Sequence, residues 1–215
     1  NNITALLGPK PLFRVLSIFK WERRKAPDVL VDGFFRAFQD ESAELVIHAY
    51  RPSWERGDKD LRRVAERMRP AGNNARLTWL GGVELSRREL RALYAAVDCF
   101  ALPTRGEGWG LPVHEALAMA LPTVVTGVAG PLDITGGNGT AWLLDPGGRG
   151  SDGLARPRAE DLTAALREVR DDPAEALKRA AAGRERVARL FAPSVVARRF
   201  VDVLGDGFFL PRDGE

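Results

Sequence analysis

The sequence is poor in the residues that build disulfide frameworks and metal centres. Its 215 residues include one cysteine, Cys99, and two histidines, His48 and His114. One cysteine cannot form an internal disulfide, and no cluster of histidine, cysteine and carboxylate has metal-ligand spacing. We therefore expect no metal site and no cofactor. Cys99 lies in an apolar run typical of a buried thiol, which suits a reducing compartment, so we expect a cytoplasmic protein.

Long apolar segments and nucleic-acid signatures are also scarce. The longest uncharged run, Ala116 to Leu132, contains two prolines and two glycines, which favours a helix, a turn and a buried strand over a membrane span. The 32 basic and 29 acidic residues leave a net charge of only +3. No basic run is interleaved with aromatic residues, so we expect no nucleic-acid partner. We find no signal-peptide pattern in the first residues.

Short apolar runs alternate with amphipathic segments along the chain. The runs predicted as strands, the last of them weaker, are Phe13–Phe19, Leu45–Ala49, Arg76–Leu80, Cys99–Leu102, Thr123–Thr126 and Ala141–Leu144. The segments predicted as helices are Pro27–Phe38, the capping-box segment after Ser86, Pro157–Val169, Pro173–Leu190 and Ser194–Leu204. Nearly continuous apolar strands that alternate with helices indicate a parallel sheet covered on both faces. The predicted fold class is α/β, a Rossmann-like doubly wound parallel sheet.

Residues 107 to 115 are the most informative stretch, and they read Glu-Gly-Trp-Gly-Leu-Pro-Val-His-Glu. Pro112 suits the first position of a helix, so Glu107 is predicted in the preceding turn and Glu115 in the first helical turn. The N–H groups of a helix start attract phosphate, and carboxylates accept hydrogen bonds from hydroxyls. A sugar nucleotide carries both groups. Taken alone, the two acids also fit a solvated helix start.

Three further segments accompany this motif: Phe19 to Lys25 is basic, Arg76 to Leu102 reads as strand, loop, helix and strand, and an alanine-rich helix runs on to Val125. Together these segments resemble the donor-binding half of the retaining glycosyltransferase family with a two-glutamate (E-x7-E) signature, of group 1 or family 4 type. The resemblance extends from about Phe13 to about Phe200. It implies the C-terminal half of a GT-B fold.

The resemblance also implies roles for the motif residues. Glu115 would accept hydrogen bonds from both ribose hydroxyls of a nucleoside-diphosphate sugar, and Glu107 would contact the transferred sugar near its reacting end. His114, beside Glu115, is expected to support the site or lie on the surface. Sugar and phosphate oxygens would be held by the turn formed by Gly108, Trp109, Gly110 and Leu111.

Two lysines complete the implied machinery. Lys20 and Lys25 would clamp the leaving diphosphate and neutralise its charge as the glycosidic bond breaks, a catalytic role shared with Glu107. The family usually has Gly-Arg where this chain has Phe19-Lys20, and lysine lacks the fork of arginine. Arg23 and Arg24 are expected to be exposed to solvent.

The remaining site residues are implied more loosely. The turn at Gly82 and Val83 would cradle the base through backbone groups, which leaves the base open. Thr104 and Arg105 would border the sugar site. Asp133 stands near a family glutamate position, where it would either join the site or cap a helix.

The domain organisation follows from the same resemblance. Residues 1–12 are predicted to be an interdomain linker, residues 13–204 the nucleotide-sugar-binding domain and residues 205–215 a tail. The N-terminal acceptor domain is absent, so we expect the chain to be a domain of a longer enzyme, inactive alone. Transferred sugar, acceptor and membrane association stay open.

Two other functions fit the same scaffold. A sugar-nucleotide epimerase would need catalytic acids or bases that we do not find at this edge of the sheet. A non-catalytic sugar-nucleotide-binding module would have lost its pocket, whereas both glutamates and both lysines are present.

Overall fold

Six parallel strands form one sheet in the computed structural model, which describes residues 3–50 and 60–205. The strands are β1 (Phe13–Lys20), β2 (Ala43–Tyr50), β3 (Arg76–Trp79), β4 (Cys99–Leu102), β5 (Thr123–Thr126) and β6 (Trp142–Leu144). Their order is β3-β2-β1-β4-β5-β6, and every neighbouring pair is parallel. The order reverses at β1, where one half of the chain builds outward to β3 and the other to β6. Ligands of such sheets bind at this reversal, beside the carboxyl ends of the strands.

Helices cover both faces of the sheet. They are α1 (Ile3–Leu7), α2 (Pro27–Ala37), α3 (Leu61–Arg67), α4 (Arg87–Ala95), α5 (Leu111–Ala118), α6 (Ala129–Thr135), α7 (Ala159–Asp171), α8 (Pro173–Phe191) and α9 (Pro193–Gly205). The crossovers through α2 and α5 run in opposite directions from the centre, so right-handed connections put these helices on opposite faces. Helix α2 packs against α7, and α5 packs against α8. In the part of the chain that the structure describes, no helix is both long and apolar enough to cross a membrane.

The apolar runs form the core because each strand is shielded on both sides. All four residues of β4 and of β5 are buried, and Cys99 is a buried free thiol, as expected. The bulkiest enclosed side chains include Phe34, Phe35 and Phe100. Burial of so many apolar side chains is the main stabilising contribution. The predicted α/β fold with a Rossmann-like parallel sheet is confirmed.

The amino edge of the sheet is closed by a buried charge network. Arg14 donates from Nε to Oε2 of Glu44 at 2.6 Å, and both side chains are almost fully enclosed. Thr78 donates to the other oxygen of Glu44 at 2.5 Å, and the Arg14 N–H donates to Asp98 at 2.8 Å. These bonds compensate the loss of hydration of the buried ions. They join β1, β2 and β3 at the edge opposite the carboxyl ends.

Some elements differ from the predictions. Ile3 and Leu7 are buried in helix α1, which lies within the segment predicted as a linker; the linker assignment itself stays a prediction. Helices α3 and α6 were not predicted. Asp133 lies inside α6, so it does not cap that helix, whose N-cap is Val128. The predicted tail, except for Gly205 at the end of α9, lies outside the described residues.

Gly33 provides a test of the contact between α2 and α7. A Cβ atom at Gly33 would lie 2.7 Å from Cδ2 of Leu162 and 3.0 Å from the carbonyl oxygen of Ala159. Gly33→Ala is therefore expected to lower the free energy of unfolding by about 1–3 kcal/mol, as overpacking does. Urea denaturation measures the change. The control is Gly139→Ala, where an added Cβ would meet no heavy atom within 4 Å. Equal stabilities of the two variants would contradict the close packing.

Candidate functional site

A cleft of about 940 Å³ opens at the carboxyl edge of the sheet. Its floor is formed by the ends of β1, β2 and β4, and the loop after β3 forms one wall. The predicted site residues that line it are Lys20, Lys25, Gly82, Val83, Glu107, Trp109, Gly110 and Leu111. Thr104, Gly108 and Glu115 belong to the same loops but lie outside this lining. The fold thus brings together segments that are far apart in sequence.

The basic segment after β1 folds into a tight turn. Residues Arg23–Lys25 form a single turn of 3-10 helix, closed by the Lys25 N–H, which donates to the Glu22 carbonyl at 2.9 Å. Ala26 then adopts a left-handed conformation, with φ of 53°, and Pro27 begins α2. The positive end of the α2 dipole therefore lies beside the cleft. Arg23 is exposed, as predicted, and Lys25 is buried.

Lys25 forms an ion pair with Glu107, which approaches from the loop after β4. Burial lowers the pKa of the Lys25 ammonium below its usual value, although the hydrogen bond to Glu107 opposes this shift. The side chains of both residues are about nine-tenths buried, with 10% and 11% exposure. This partly desolvated pair is stronger than a surface ion pair. In this structure the cation is therefore held by the carboxylate.

Arg24 is the correction within this segment. It was predicted to be exposed, but it is only partly so, and it donates to the carbonyl of Gly106 at 2.8 Å and to Glu22 at 2.6 Å. Its guanidinium also lies 3.7 Å from Glu107. The planar fork of arginine suits this bridging. Arg24 therefore belongs to the charged wall of the cleft, a role that the sequence reasoning missed.

Thr104 and Arg105 join the loops after β1 and β4. The buried Thr104 hydroxyl lies 3.0 Å from the carbonyl oxygen of Arg24 and accepts from the Gly106 N–H at 3.2 Å. Arg105 forms a two-pronged bond with Asp28, at 2.8 and 2.5 Å. Burial acts to raise the pKa of Asp28, but Arg105 outweighs it, so the pKa is lowered. The structure gives both residues a bracing role, and their contact with a sugar stays a prediction.

Two glycines shape the turn that carries Glu107. Gly110 is the N-cap of α5 and has a φ of 89°, a left-handed conformation that favours glycine. A Cβ atom on Gly130 would overlap the backbone of Gly108 and Trp109. The missing side chain therefore lets the start of α6 support the turn from behind. The sequence had suggested only a glycine-rich turn at this position.

Glu115 lies in the second turn of α5, which corrects the predicted first turn, because the helix begins at Leu111. Oε2 of Glu115 accepts a hydrogen bond of 2.8 Å from the hydroxyl of Tyr94 on α4. Burial, followed by the charge of Glu115, raises the pKa of Tyr94, so this hydroxyl keeps its proton and remains a donor. A carboxylate offers about four acceptor positions, so the bond orients Glu115 without saturating it.

An aromatic cluster fixes the opposite wall. The Trp109 indole N–H donates to Nδ1 of His114 at 3.2 Å, and the Trp109 ring meets Phe191 edge-on at 5.0 Å. Because indole nitrogen is only a donor, Nδ1 of His114 must accept, and neutral His114 carries its proton on Nε2. Burial lowers the pKa of His114, which favours that neutral form. His114 therefore supports the site by holding Trp109, and Phe191 is a contributor that the sequence did not reveal.

The loop after β3 forms the remaining wall. Gly82 has a φ of 77°, and a Cβ on Gly81 would overlap the indole of Trp79, so both positions require glycine. The Val83 N–H donates to the Leu80 carbonyl at 3.4 Å. Nδ1 of His48, on β2, lies 3.1 Å from the same carbonyl oxygen. The predicted turn is therefore present, and it is tied to the neighbouring strand.

The fold and the position of the cleft define the class of this domain: it is the C-terminal, Rossmann-like domain of GT-B glycosyltransferases. Such a domain from a glycosyl transferase group 1 family protein of Francisella tularensis superposes with a TM-score of 0.69 and 18% identity, over 85% of this chain and 88% of the other. Anabaena HepE, solved with UDP and glucose, gives a TM-score of 0.76 and 16% identity, over 95% of this chain and 51% of that protein.

The sequence gives the family itself. Residues 11–172 match the profile of the glycosyl transferases group 1, and the chain belongs to this family. An MMP alpha-(1->4)-mannosyltransferase of Mycolicibacterium hassiacum is 31% identical over 120 residues. That segment is 55% of this chain but 27% of the mannosyltransferase, so the matched part covers about a quarter of this relative. The chain likewise spans about half of HepE.

Proposed function

We propose that this chain is the donor-binding domain of a retaining glycosyltransferase. It binds a nucleoside-diphosphate sugar in the cleft, and a second domain of the same enzyme holds the acceptor. The observation that carries the proposal is the meeting of Lys25 and Glu107 beside Lys20 at the carboxyl edge of the sheet. Cations that can hold a diphosphate and a carboxylate that can hold a sugar hydroxyl are what a sugar nucleotide requires.

The diphosphate is assigned to Lys20, Lys25 and the start of α2. Lys25 forms an ion pair with Glu107, so a diphosphate must compete with that carboxylate for the ammonium. When the bond between the anomeric carbon and the diphosphate oxygen breaks, negative charge grows on the leaving group. Cations fixed at that position stabilise the transition state more than the ground state, which is the condition for faster reaction.

The other parts of the ligand are assigned around this clamp. Glu115, oriented by Tyr94, accepts from the ribose hydroxyls. The backbone of Gly82 and Val83 receives the base. The transferred sugar lies toward Glu107, which is released from Lys25 when the diphosphate binds. The turn from Gly108 to Leu111 supplies the N–H groups at the start of α5 for sugar and phosphate oxygens.

The proposal predicts nucleoside diphosphate binding without a divalent metal. Among residues 3–50 and 60–205, no group of three or more histidine, cysteine or carboxylate side chains is placed to hold a metal ion. The cations assigned to the diphosphate are the protein's own. Calorimetry with UDP, GDP and ADP should therefore give affinities in EDTA and in Mg²⁺ that agree within about threefold. Binding that occurs only with Mg²⁺ or Mn²⁺ would contradict the clamp.

A matched pair of lysine variants locates the clamp. Lys20→Ala is expected to weaken diphosphate binding about ten- to a hundredfold, because a hydrogen bond to a charged group contributes about 1.5–3 kcal/mol. The control is Lys178→Ala on α8, whose side chain is 77% exposed. Its affinity should equal that of the wild type.

A further inference from the structure

An exposed aromatic side chain stands at the end of β2, inside the cleft. Tyr50 is the last residue of that strand, is 55% exposed and lines the cleft. In the strand register its partner is Lys20, whose Nζ lies 6.0 Å from the centre of the Tyr50 ring. Large apolar surface is seldom left in water within a binding cleft without a role. Tyr50 is not among the residues to which the two-glutamate motif assigns a function.

The backbone that presents Tyr50 is held in place. The Trp21 N–H donates to the Tyr50 carbonyl at 2.8 Å. The Trp21 ring stacks on Phe19 at 5.7 Å and meets Trp79 edge-on at 5.5 Å. These aromatic contacts fix the end of β2 relative to the ends of β1 and β3. The Tyr50 ring is therefore offered to the cleft from a rigid support.

Trp109 is the other exposed aromatic residue that lines the cleft among the described residues. Its ring is already engaged by Phe191 and its N–H by His114. It also belongs to the loop after β4, beside Glu107, where the sugar is assigned. Of these two rings, Tyr50 lies on the side of the cleft that faces the base loop.

The sheet order fixes that position. The base loop follows β3, Tyr50 ends β2, and Lys20 ends β1, and these strands are neighbours in the order β3-β2-β1. Neighbouring strands lie about 4.8 Å apart, so the base loop and Lys20 are separated by about two such spacings. A diphosphate on Lys20 and a base at Gly82 and Val83 would place the nucleoside across the end of β2.

We propose that the Tyr50 ring stacks on the base of the bound nucleotide; this rests on the proposed function. Every base has a π-face, so stacking tolerates different bases. The backbone groups of the loop at Gly82 and Val83 read the base edge weakly. Tyr50 therefore supplies affinity for a nucleoside in general and distinguishes a nucleoside diphosphate from a bare diphosphate.

The test compares three ligands and three proteins. UDP, GDP and inorganic pyrophosphate are titrated into the wild-type chain, Tyr50→Ala and Tyr50→Phe, in EDTA. Tyr50→Ala is expected to weaken UDP and GDP binding about 5- to 150-fold, the usual range for loss of one stacked base, and to leave pyrophosphate within about twofold. Tyr50→Phe keeps the ring, so all three affinities should match the wild type.

Each other outcome overturns the assignment. Unchanged UDP and GDP affinities for Tyr50→Ala mean that the ring does not touch the base. Equal losses for pyrophosphate mean that Tyr50 acts on the clamp through Lys20. A loss in Tyr50→Phe equal to that in Tyr50→Ala means that the hydroxyl makes the contact.

Folding and the parent proposal are checked in the same experiment. Leu177→Ala, on the exposed side of α8, is the truncation control for thermal stability, and Tyr50→Ala should melt at the same temperature. A lower melting temperature for Tyr50→Ala means that the ring packs in the fold and overturns the assignment. If the wild-type chain binds no nucleoside diphosphate at all, the proposed function fails, and this inference fails with it.

Discussion

Glu115→Ala is expected to weaken nucleoside diphosphate binding by about ten- to a thousandfold. The expectation rests on two ribose hydroxyls that donate to one carboxylate, since each hydrogen bond to a charged group contributes about 1.5–3 kcal/mol. The nucleotide part is the same in donor and product, so the loss should appear in binding of the diphosphate alone. Calorimetry with UDP and GDP measures it.

Two variants separate Glu115 from its neighbours. Tyr94→Phe removes the hydroxyl that orients Glu115 but keeps the carboxylate, so its loss should not exceed about tenfold, as for a neutral hydrogen bond. Glu107→Ala frees Lys25 from its ion pair, so affinity for the diphosphate should stay equal or rise. Equal losses at Glu107 and Glu115 would show that the sugar has been misplaced. Full affinity in Glu115→Ala would show that the ribose contact does not exist.

The isolated chain is expected to transfer no sugar, even when it binds the donor. Holding the acceptor hydroxyl at the anomeric carbon contributes about 7–11 kcal/mol to catalysis, a factor of roughly 10⁵ to 10⁸ in rate. The chain spans about half of HepE, and the proposal puts acceptor binding in the other domain. A mass-spectrometric assay with UDP-glucose or GDP-mannose and simple sugar acceptors measures transfer.

The intact enzyme is the control for that assay. Under the same conditions it should turn over, and the same enzyme with Glu107→Ala should be slowed in kcat, as loss of a transition-state contact requires. Robust turnover by the 215-residue chain alone would contradict the assignment of the acceptor site to another domain.

The strands could be predicted because burial on both faces leaves a simple pattern. The bounds of β4 and β5 agree with the predicted runs, since every residue in them is buried. Helix α6 was missed because Gly130 and Pro131 read as helix breakers. Proline is tolerated in the first helical turn, where its N–H would have no partner, and α6 begins at Ala129. Glu115 was placed a turn too early because the left-handed Gly110 starts α5 at Leu111.

The site could be predicted only as far as the sheet edge determines it. Parallel strands bring Lys20 and Glu107 to one edge whatever the side chains do. The pairing of Lys25 with Glu107 joins residues 82 positions apart, and that of Tyr94 with Glu115 joins two helices. No periodicity encodes such contacts, because they depend on rotamers and on how helices pack. Tyr50 and Phe191 were missed for the same reason.

A crystal structure of the chain with a nucleoside diphosphate, grown in EDTA, tests the central claim most directly. The account predicts diphosphate oxygens within hydrogen-bond distance of both Lys20 and Lys25, Glu107 released from Lys25, and ribose hydroxyls on Glu115. A nucleotide bound outside this cleft, or one whose diphosphate leaves the ion pair of Lys25 and Glu107 intact, would contradict it.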